Sequence, residues 1–248
     1  QKTLKFGEYN LLDAVSSLSK VIPKNHNNPV LNGLNVDIID ENTIKFVTTD
    51  QYRLSTYVMD YEPKMNKNLL EDGSITMSRN FVTYMKKVLE KQSDQVKLIL
   101  DNDSIKLIKE DIQVSGQLLQ DSYLDYTVLT NNKLPFELTM DKNRLKNAIK
   151  RLKAISDYED GENQKIIWQL DGKDLNLFSF QKNGRENLEI IDIEEKKDME
   201  VHLNYSFLLD FLKILKRDEA KIKYNEKMNP ILFCDDENFR TYMFPMDQ

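Results

Sequence analysis

Apolar positions along the chain switch repeatedly between a two-residue and a three-to-four-residue period, the signatures of half-buried strands and of amphipathic helices. Leu4 and Phe6 alternate with polar neighbours, and Leu11, Val15, Leu18 and Ile22 then mark one helical face that stops at Pro23. Ile44 and Phe46 alternate around Lys45, and residues 57–59 extend a further strand. Residues 74–77 lead into a second helix, capped by Ser78 and buried through Phe81, Met85, Val88 and Leu89. The runs Val96-Lys97-Leu98 and Ile105-Lys106-Leu107 flank a polar turn at 101–104, which predicts a hairpin. Helices are expected near residues 8–22, 78–91, 141–155 and 204–217, with strands outnumbering them, which is an α+β class.

The pattern repeats. Leu4, Leu11, Ala14, Val15 and Leu18 fall on Leu138, Leu145, Ala148, Ile149 and Leu152 at a constant offset of 134. Ile75, Met77, Phe81, Val88 and Leu89 fall on Val201, Leu203, Phe207, Ile214 and Leu215 at an offset of 126. Two amphipathic helices taken alone would align as well, but two collinear matches predict a duplicated module. A boundary is expected at the polar segment before Pro135, giving domains 1–133 and 134–248, each made of two strand–helix–strands units.

Composition narrows the chemistry. The 248 residues include seven glycines, no two closer than eleven positions, which excludes a Gly-rich dinucleotide loop and a P-loop. Two histidines and one cysteine leave no zinc constellation and no His-based triad. Asp50 and Arg53 could be imagined as a catalytic pair, but no nucleophile or phosphate loop accompanies them. No cofactor, no metal site and no enzymatic activity are therefore expected. The lone Cys234 points to a reducing compartment, and no apolar run reaches membrane-spanning length.

The net charge of −6 opposes nucleic acid, but its distribution does not. The third predicted helix carries Lys142, Arg144, Lys146, Lys150, Arg151 and Lys153 without an acid between them. Lys142, Lys146, Lys150 and Lys153 are expected on the face opposite Leu145, Ile149 and Leu152. Weaker echoes are Lys20 and Lys24, then Lys86, Lys87 and Lys91, then Lys213, Lys216 and Arg217, while acids gather in connectors. Any one such helix is explained by solvated lysines near its C-terminus. Four together predict a common cationic surface for phosphate contact without sequence preference.

Three motifs carry a resemblance. Asn28-Pro29-Val30-Leu31-Asn32-Gly33 followed by Val47-Thr48-Thr49-Asp50-Gln51-Tyr52-Arg53-Leu54, then Asp121-Ser122-Tyr123-Leu124-Asp125-Tyr126, and the closing Tyr242-Met243-Phe244-Pro245-Met246 resemble, in order, the bacterial DNA polymerase III beta sliding clamp family. The match covers that family's middle and C-terminal domains. The resemblance implies a ring of repeated domains, helices inside and sheets outside, that encircles duplex DNA as a replication processivity factor. It also implies a groove that takes polymerase and clamp-loader peptides, lined here by Leu31, Thr49, Gln51, Tyr52, Arg53, Leu54, Leu124, Leu129, Tyr242, Met243, Phe244, Pro245 and Met246. The competing reading of Leu31, Leu54 and Phe244 is as core residues. Gln51 and Tyr52 stand where the family has Gly and His, Leu124 replaces a Pro, Val128 replaces an Arg, and the chain ends Asp247-Gln248.

The family has three domains per chain and this sequence matches two. Either an N-terminal domain is absent from this chain, or it is a two-domain version of the kind a phage or mobile element would carry, closing as a homotrimer. The expected setting is the bacterial cytoplasm, at the nucleoid. The competing function is a clamp-like interaction protein that binds clamp partners, or a clamp, without forming a ring.

Overall fold

The computed structural model describes residues 2–63, 74–89, 95–159, 164–179, 182–195, 198–227, 229–235 and 238–246. They form two compact units, Gln1–Asp125 and Tyr126–Gln248.

The first unit opens with β1 (Lys2–Gly7), α1 (Glu8–Leu18), a 3-10 turn at Pro29–Asn32, β2 (Gly33–Ile38), β3 (Thr43–Thr49), β4 (Arg53–Asp60) and β5 (Glu62–Pro63). It continues with β6 (Ser74–Ser78), α2 (Arg79–Val88), β7 (Gln95–Leu100), β8 (Ser104–Lys109) and β9 (Ile112–Leu119). Its strands are ordered β4-β3-β2-β6-β9-β8-β7-β1-β5, all antiparallel. The β6–β9 joint rests on two residue pairs, Thr76 with Leu119 and Met77 with Leu118. The predicted hairpin is present, closed by the Asp101 N–H donating to the Ser104 carbonyl at 2.9 Å.

The second unit contains α3 (Thr127–Thr130), β10 (Phe136–Asp141), α4 (Lys142–Glu159), β11 (Lys165–Asp171), β12 (Asp174–Ser179), β13 (Arg185–Glu189) and β14 (Asp192–Glu195). There follow β15 (Met199–Asn204), α5 (Tyr205–Ile214), β16 (Glu219–Tyr224), β17 (Ile231–Cys234) and β18 (Phe239–Met243). Within this unit the strands run β14-β10-β16-β17-β18 and β13-β12-β11-β15.

The duplication read from the sequence appears in these elements. The offset of 134 carries Lys2–Gly7 onto Phe136–Asp141, and that of 126 carries Arg79–Val88 onto Tyr205–Ile214. The starts of α2, α5 and α4 are fixed locally. Ser78 accepts from the Phe81 N–H at 3.4 Å, Asn204 from the Ser206 and Phe207 N–H groups, and Asp141 from the Arg144 N–H at 2.7 Å. The predicted helix over 8–22 ends at Leu18 instead. Val21 and Ile22 keep the apolar period because a following turn buries them, with the Val21 N–H on the Leu18 carbonyl.

In each unit, apolar side chains from helices and strands meet in one interior. Phe6 of β1 contacts Phe46 of β3 at 6.4 Å between ring centroids. In the second unit, Phe233 of β17 meets Trp168 of β11 edge-on at 5.8 Å and Phe211 of α5 at 5.7 Å, tying both sheets to the helix. Under the first unit's helices lies an ion pair, Lys109 Nζ to Glu8 Oε1 at 2.7 Å, with Glu8 fully buried.

Candidate partner-binding and nucleic-acid surfaces

The turn from β3 to β4 is stitched by its own side chains. Asp50 Oδ1 accepts from the N–H groups of Tyr52 (3.1 Å) and Arg53 (2.9 Å), while its Oδ2 accepts from Arg53 Nε at 3.0 Å. Thr49 Oγ1 donates to the Arg53 carbonyl and accepts from the Gln51 N–H. Gln51 sits at φ 75, a left-handed conformation that glycine adopts without strain. Asp50 and Arg53, imagined as a catalytic pair, are therefore turn builders. The stitching leaves Gln51 exposed and holds the Tyr52 ring in solvent, 67% exposed.

Burial sorts the predicted groove residues of the first unit. Leu31 and Leu54 are core residues and Thr49 and Arg53 are buried, whereas Leu124 is half-buried. Neighbouring Tyr123 is mostly buried, and burial pushes its phenol well above the usual tyrosine range. In the second unit Leu129 is half-buried, Tyr242 and Met243 are buried on β18, and Phe244, Pro245 and Met246 are half-buried beyond the strand. Burial likewise raises the Tyr242 phenol. The tail is held at its end, where the Met246 N–H donates to the His202 carbonyl at 2.9 Å. Its accessible apolar groups are thus Phe244, Pro245 and Met246.

The cationic residues also divide. At 100° per residue, Lys142, Lys146 and Lys153 flank the buried stripe of α4 rather than oppose it, and all three are half-buried. This corrects the expectation of an opposite-facing lysine row. The exposed face is built from Asn143, Arg144, Asn147, Lys150, Arg151 and Ala154. Lys142 Nζ donates to the Leu215 carbonyl, and Lys153 Nζ lies 4.9 Å from the Tyr205 ring centroid. Arg151 is a bidentate partner of Glu186 on β13, at 2.6 and 2.8 Å, so its charge is partly matched. That hydrogen bond holds the Glu186 carboxyl below its ordinary range against a smaller effect of burial.

On α2, Lys86 and Lys87 are exposed, Lys87 lying 5.3 Å from the Tyr84 ring. Lys213 is exposed in the last turn of α5. Lys20 and Lys24 lie past the end of α1, and Lys216 and Arg217 past that of α5, all exposed. Lys91 lies outside the described residues, as do 160–163, 236–237 and 247–248.

Two features escaped the linear pattern. A cavity of about 330 Å³ lies against β10, β14 and β16, lined by Glu137, Thr139, Ile191, Asp192, Glu219 and Lys221. On β12 and β13, Phe178 gathers Lys182 and Arg185 over its ring. Strand alternation over 174–179 was a usable signal for the face, but not for the cations it collects. Among the described residues no group of three or more His, Cys, Asp or Glu side chains could hold a metal ion, and no helix is long and apolar enough to cross a membrane.

Duplicated α+β modules with paired helices packed on antiparallel sheets, the first carrying an exposed stitched turn and the second an apolar C-terminal tail, define a clamp-type protein. The family model for the DNA polymerase III beta subunit central domain matches residues 8–125, and that for its C-terminal domain matches residues 131–247. The chain belongs to the DNA polymerase III beta subunit family. It is 22% identical over 231 residues to the beta sliding clamp of Mycoplasma capricolum, covering 90% of this chain and 60% of that protein. The Staphylococcus aureus beta sliding clamp is 22% identical over 227 residues, covering 90% and 57%. The chain thus spans roughly 60% of the length of these relatives. Among solved structures, the Pseudomonas aeruginosa sliding clamp superposes with a TM-score of 0.89 at 17% identity, covering 100% of this chain and 67% of that one. The Bacillus subtilis clamp gives 0.86 at 17% identity, over 99% and 64%.

Proposed function

We propose that this protein is a non-catalytic DNA sliding clamp that encircles duplex DNA and tethers a polymerase. The observation that carries this reading is the tandem match of two beta-subunit domain models across nearly the whole chain. Lys20, Lys24, Lys86, Lys87, Lys146, Lys150, Lys213, Lys216 and Arg217 face the phosphates, assisted by the half-buried Lys142 and Lys153 and the partly matched Arg151. Lys91 completes the set. Contacts of this kind bind any sequence and weaken steeply with salt.

Polymerase and clamp-loader peptides dock through apolar anchors on Tyr52, Leu124, Leu129, Phe244, Pro245 and Met246, with Gln51 exposed beside Tyr52 and with Leu31, Thr49, Arg53, Leu54, Tyr242 and Met243 as buried support within their own units. If domains 1–133 and 134–248 are the whole repeating unit, three chains joined head to tail would close one ring. The site of action is the bacterial cytoplasm, at the nucleoid. Light scattering tests the assembly: a species near three times 29.2 kDa is expected. A strict monomer at high concentration refutes ring closure by these two domains alone, and favours either a clamp-like protein that binds partners without encircling DNA or a ring that needs a further domain.

A further inference from the structure

One sheet of the second unit has a helix-side face and a face turned away from the helices. Ile166, Trp168, Leu170, Leu175, Leu177 and Leu188 are buried on the helix side, and the Glu186–Arg151 pair bridges that side to α4. Residues of opposite parity on the strands therefore form the other face. There the register sets Arg185 beside Phe178, Phe178 beside Ile167, and Ile167 beside His202, a row crossing all four strands.

This row is organised at its β13 end. Arg185 lies 5.6 Å from the Phe178 ring centroid and donates through Nη2 to Asn176 Oδ1 at 2.9 Å. Asn176 is itself buried and accepts a second bond, from Asn187 Nδ2 at 3.0 Å. Lys182 sits 5.9 Å from the same ring, in a turn fixed by its N–H on the Ser179 carbonyl and by Ser179 Oγ accepting from the Gly184 N–H. Both cations are exposed. A guanidinium stacked and bonded in place still has donors to offer, and little rotamer freedom remains to be lost when a carboxylate arrives.

At the other end of the row, the His202 carbonyl holds the Met246 N–H of the C-terminal tail. The charges on this part of the face are Lys165, Lys182 and Arg185 against Glu200, while Asp171, Asp174 and Glu189 lie at the sheet's far end. Burial holds the His202 imidazole below its usual range, with Lys165 and Lys182 lowering it further and Glu200 opposing them.

We infer that this face is a docking surface for an acidic stretch of a partner peptide, continuous with the tail that anchors the peptide's apolar residues. The inference rests on the peptide-groove reading above and adds the chemistry of the flanking segment. An apolar anchor at Phe244–Met246 sends the adjoining peptide across His202 and Phe178 toward Arg185 and Lys182, where carboxylates are the complementary charge.

The test uses the full chain and three fluorescent peptides that share a Leu–Phe anchor but carry Glu-rich, Gln-rich or Lys-rich flanks. The Glu-rich peptide is expected to bind about tenfold more tightly than the Gln-rich one, a difference of about 1.4 kcal/mol. Added salt and the double variant Lys182→Glu/Arg185→Glu should each erase that advantage, leaving the Gln-rich affinity in place. Lys182→Glu alone leaves the Arg185–Asn176 bond intact and should remove part of the advantage even if the double variant is less stable. Equal affinities for the three peptides overturn the inference. Failure of the Gln-rich peptide to bind refutes the groove instead. The patch is then read by chemical-shift changes at Arg185 Nε–H with an anchor-free Glu-rich peptide, and no change beyond that of the Lys-rich control overturns it. Duplex DNA that shifts the same resonance and displaces the Glu-rich peptide overturns the acidic-peptide assignment.

Discussion

Replacing Lys109 by Met should destabilise the protein by about 3–5 kcal/mol, the cost of taking the Lys109 charge out of a buried ion pair with Glu8. Glu8 is fully buried at the first position of α1, and Lys109 at the end of β8 is nearly so, with 2.7 Å between the charged atoms. At that separation an effective dielectric of about 20 gives an attraction of roughly 6 kcal/mol, comparable to the several kcal/mol of desolvation borne by each ion. The intact pair is therefore close to neutral in net stability, and the loss appears only when one member goes. Lys109 Nζ also reaches the Val88 carbonyl at 3.4 Å, so its removal affects the end of α2 as well. Urea and thermal unfolding of the full chain measure the effect, with a melting shift on the order of 10 °C for a chain of this size. The double variant Glu8→Leu/Lys109→Met should recover most of the loss, because two apolar side chains of similar volume replace two desolvated charges. A Lys109→Met protein within about 1 kcal/mol of wild type would refute the reasoning, as would a double variant no better than the single one.

Gly116→Ala should cost about 1–3 kcal/mol, since a Cβ there would come within 2.6 Å of the buried Phe81 ring; urea midpoints read it. Leu54→Ala should lower the melting temperature first, at about 2–5 kcal/mol, as befits a core leucine, whereas Phe244→Ala with Met246→Ala should weaken peptide binding by about 1–3 kcal/mol and leave the melt little changed. The reverse order in either assay removes the division between buried support and anchors. Burial of Glu137 pushes its carboxyl up, but hydrogen bonds from Lys223 and Lys221 more than offset this and hold it below its ordinary 4.5. A depressed folded value means the pair's stabilisation is present above pH 4.5 and is lost as pH falls through the folded value. Glu137→Gln should therefore be less stable near neutrality and show a shallower acid limb in stability against pH. Lys86→Glu with Lys150→Glu, both exposed, should weaken DNA binding without changing the melt, and unchanged binding at low salt would remove the phosphate-facing assignment.

The repeat, the four main helices and the family resemblance are legible in the linear chain. Apolar spacing depends on local periodicity, so the 134 and 126 offsets superpose β1 on β10 and α2 on α5 residue for residue, whereas α4 runs seven residues past the equivalent of the end of α1. Caps at Ser78 and Asn204 are local as well, because each is a side chain bonding an N–H two or three residues ahead. Tertiary structure alone decided which charges are available and which apolar residues are exposed. Arg151 is one of six cations on the third predicted helix in the linear chain, but in the fold β13 brings Glu186 against it, 35 positions away. Val21 and Ile22 kept the helical period although the helix had already ended, because burial, not helix geometry, selects their side chains. Leu54 and Met246 belong to one predicted groove, yet the first is sealed in the core and the second is half-exposed. The Phe178–Lys182–Arg185 cluster has no linear signature, because it exists only once a turn carrying Lys182 folds two strands into register and alternation sets Phe178 and Arg185 on one face.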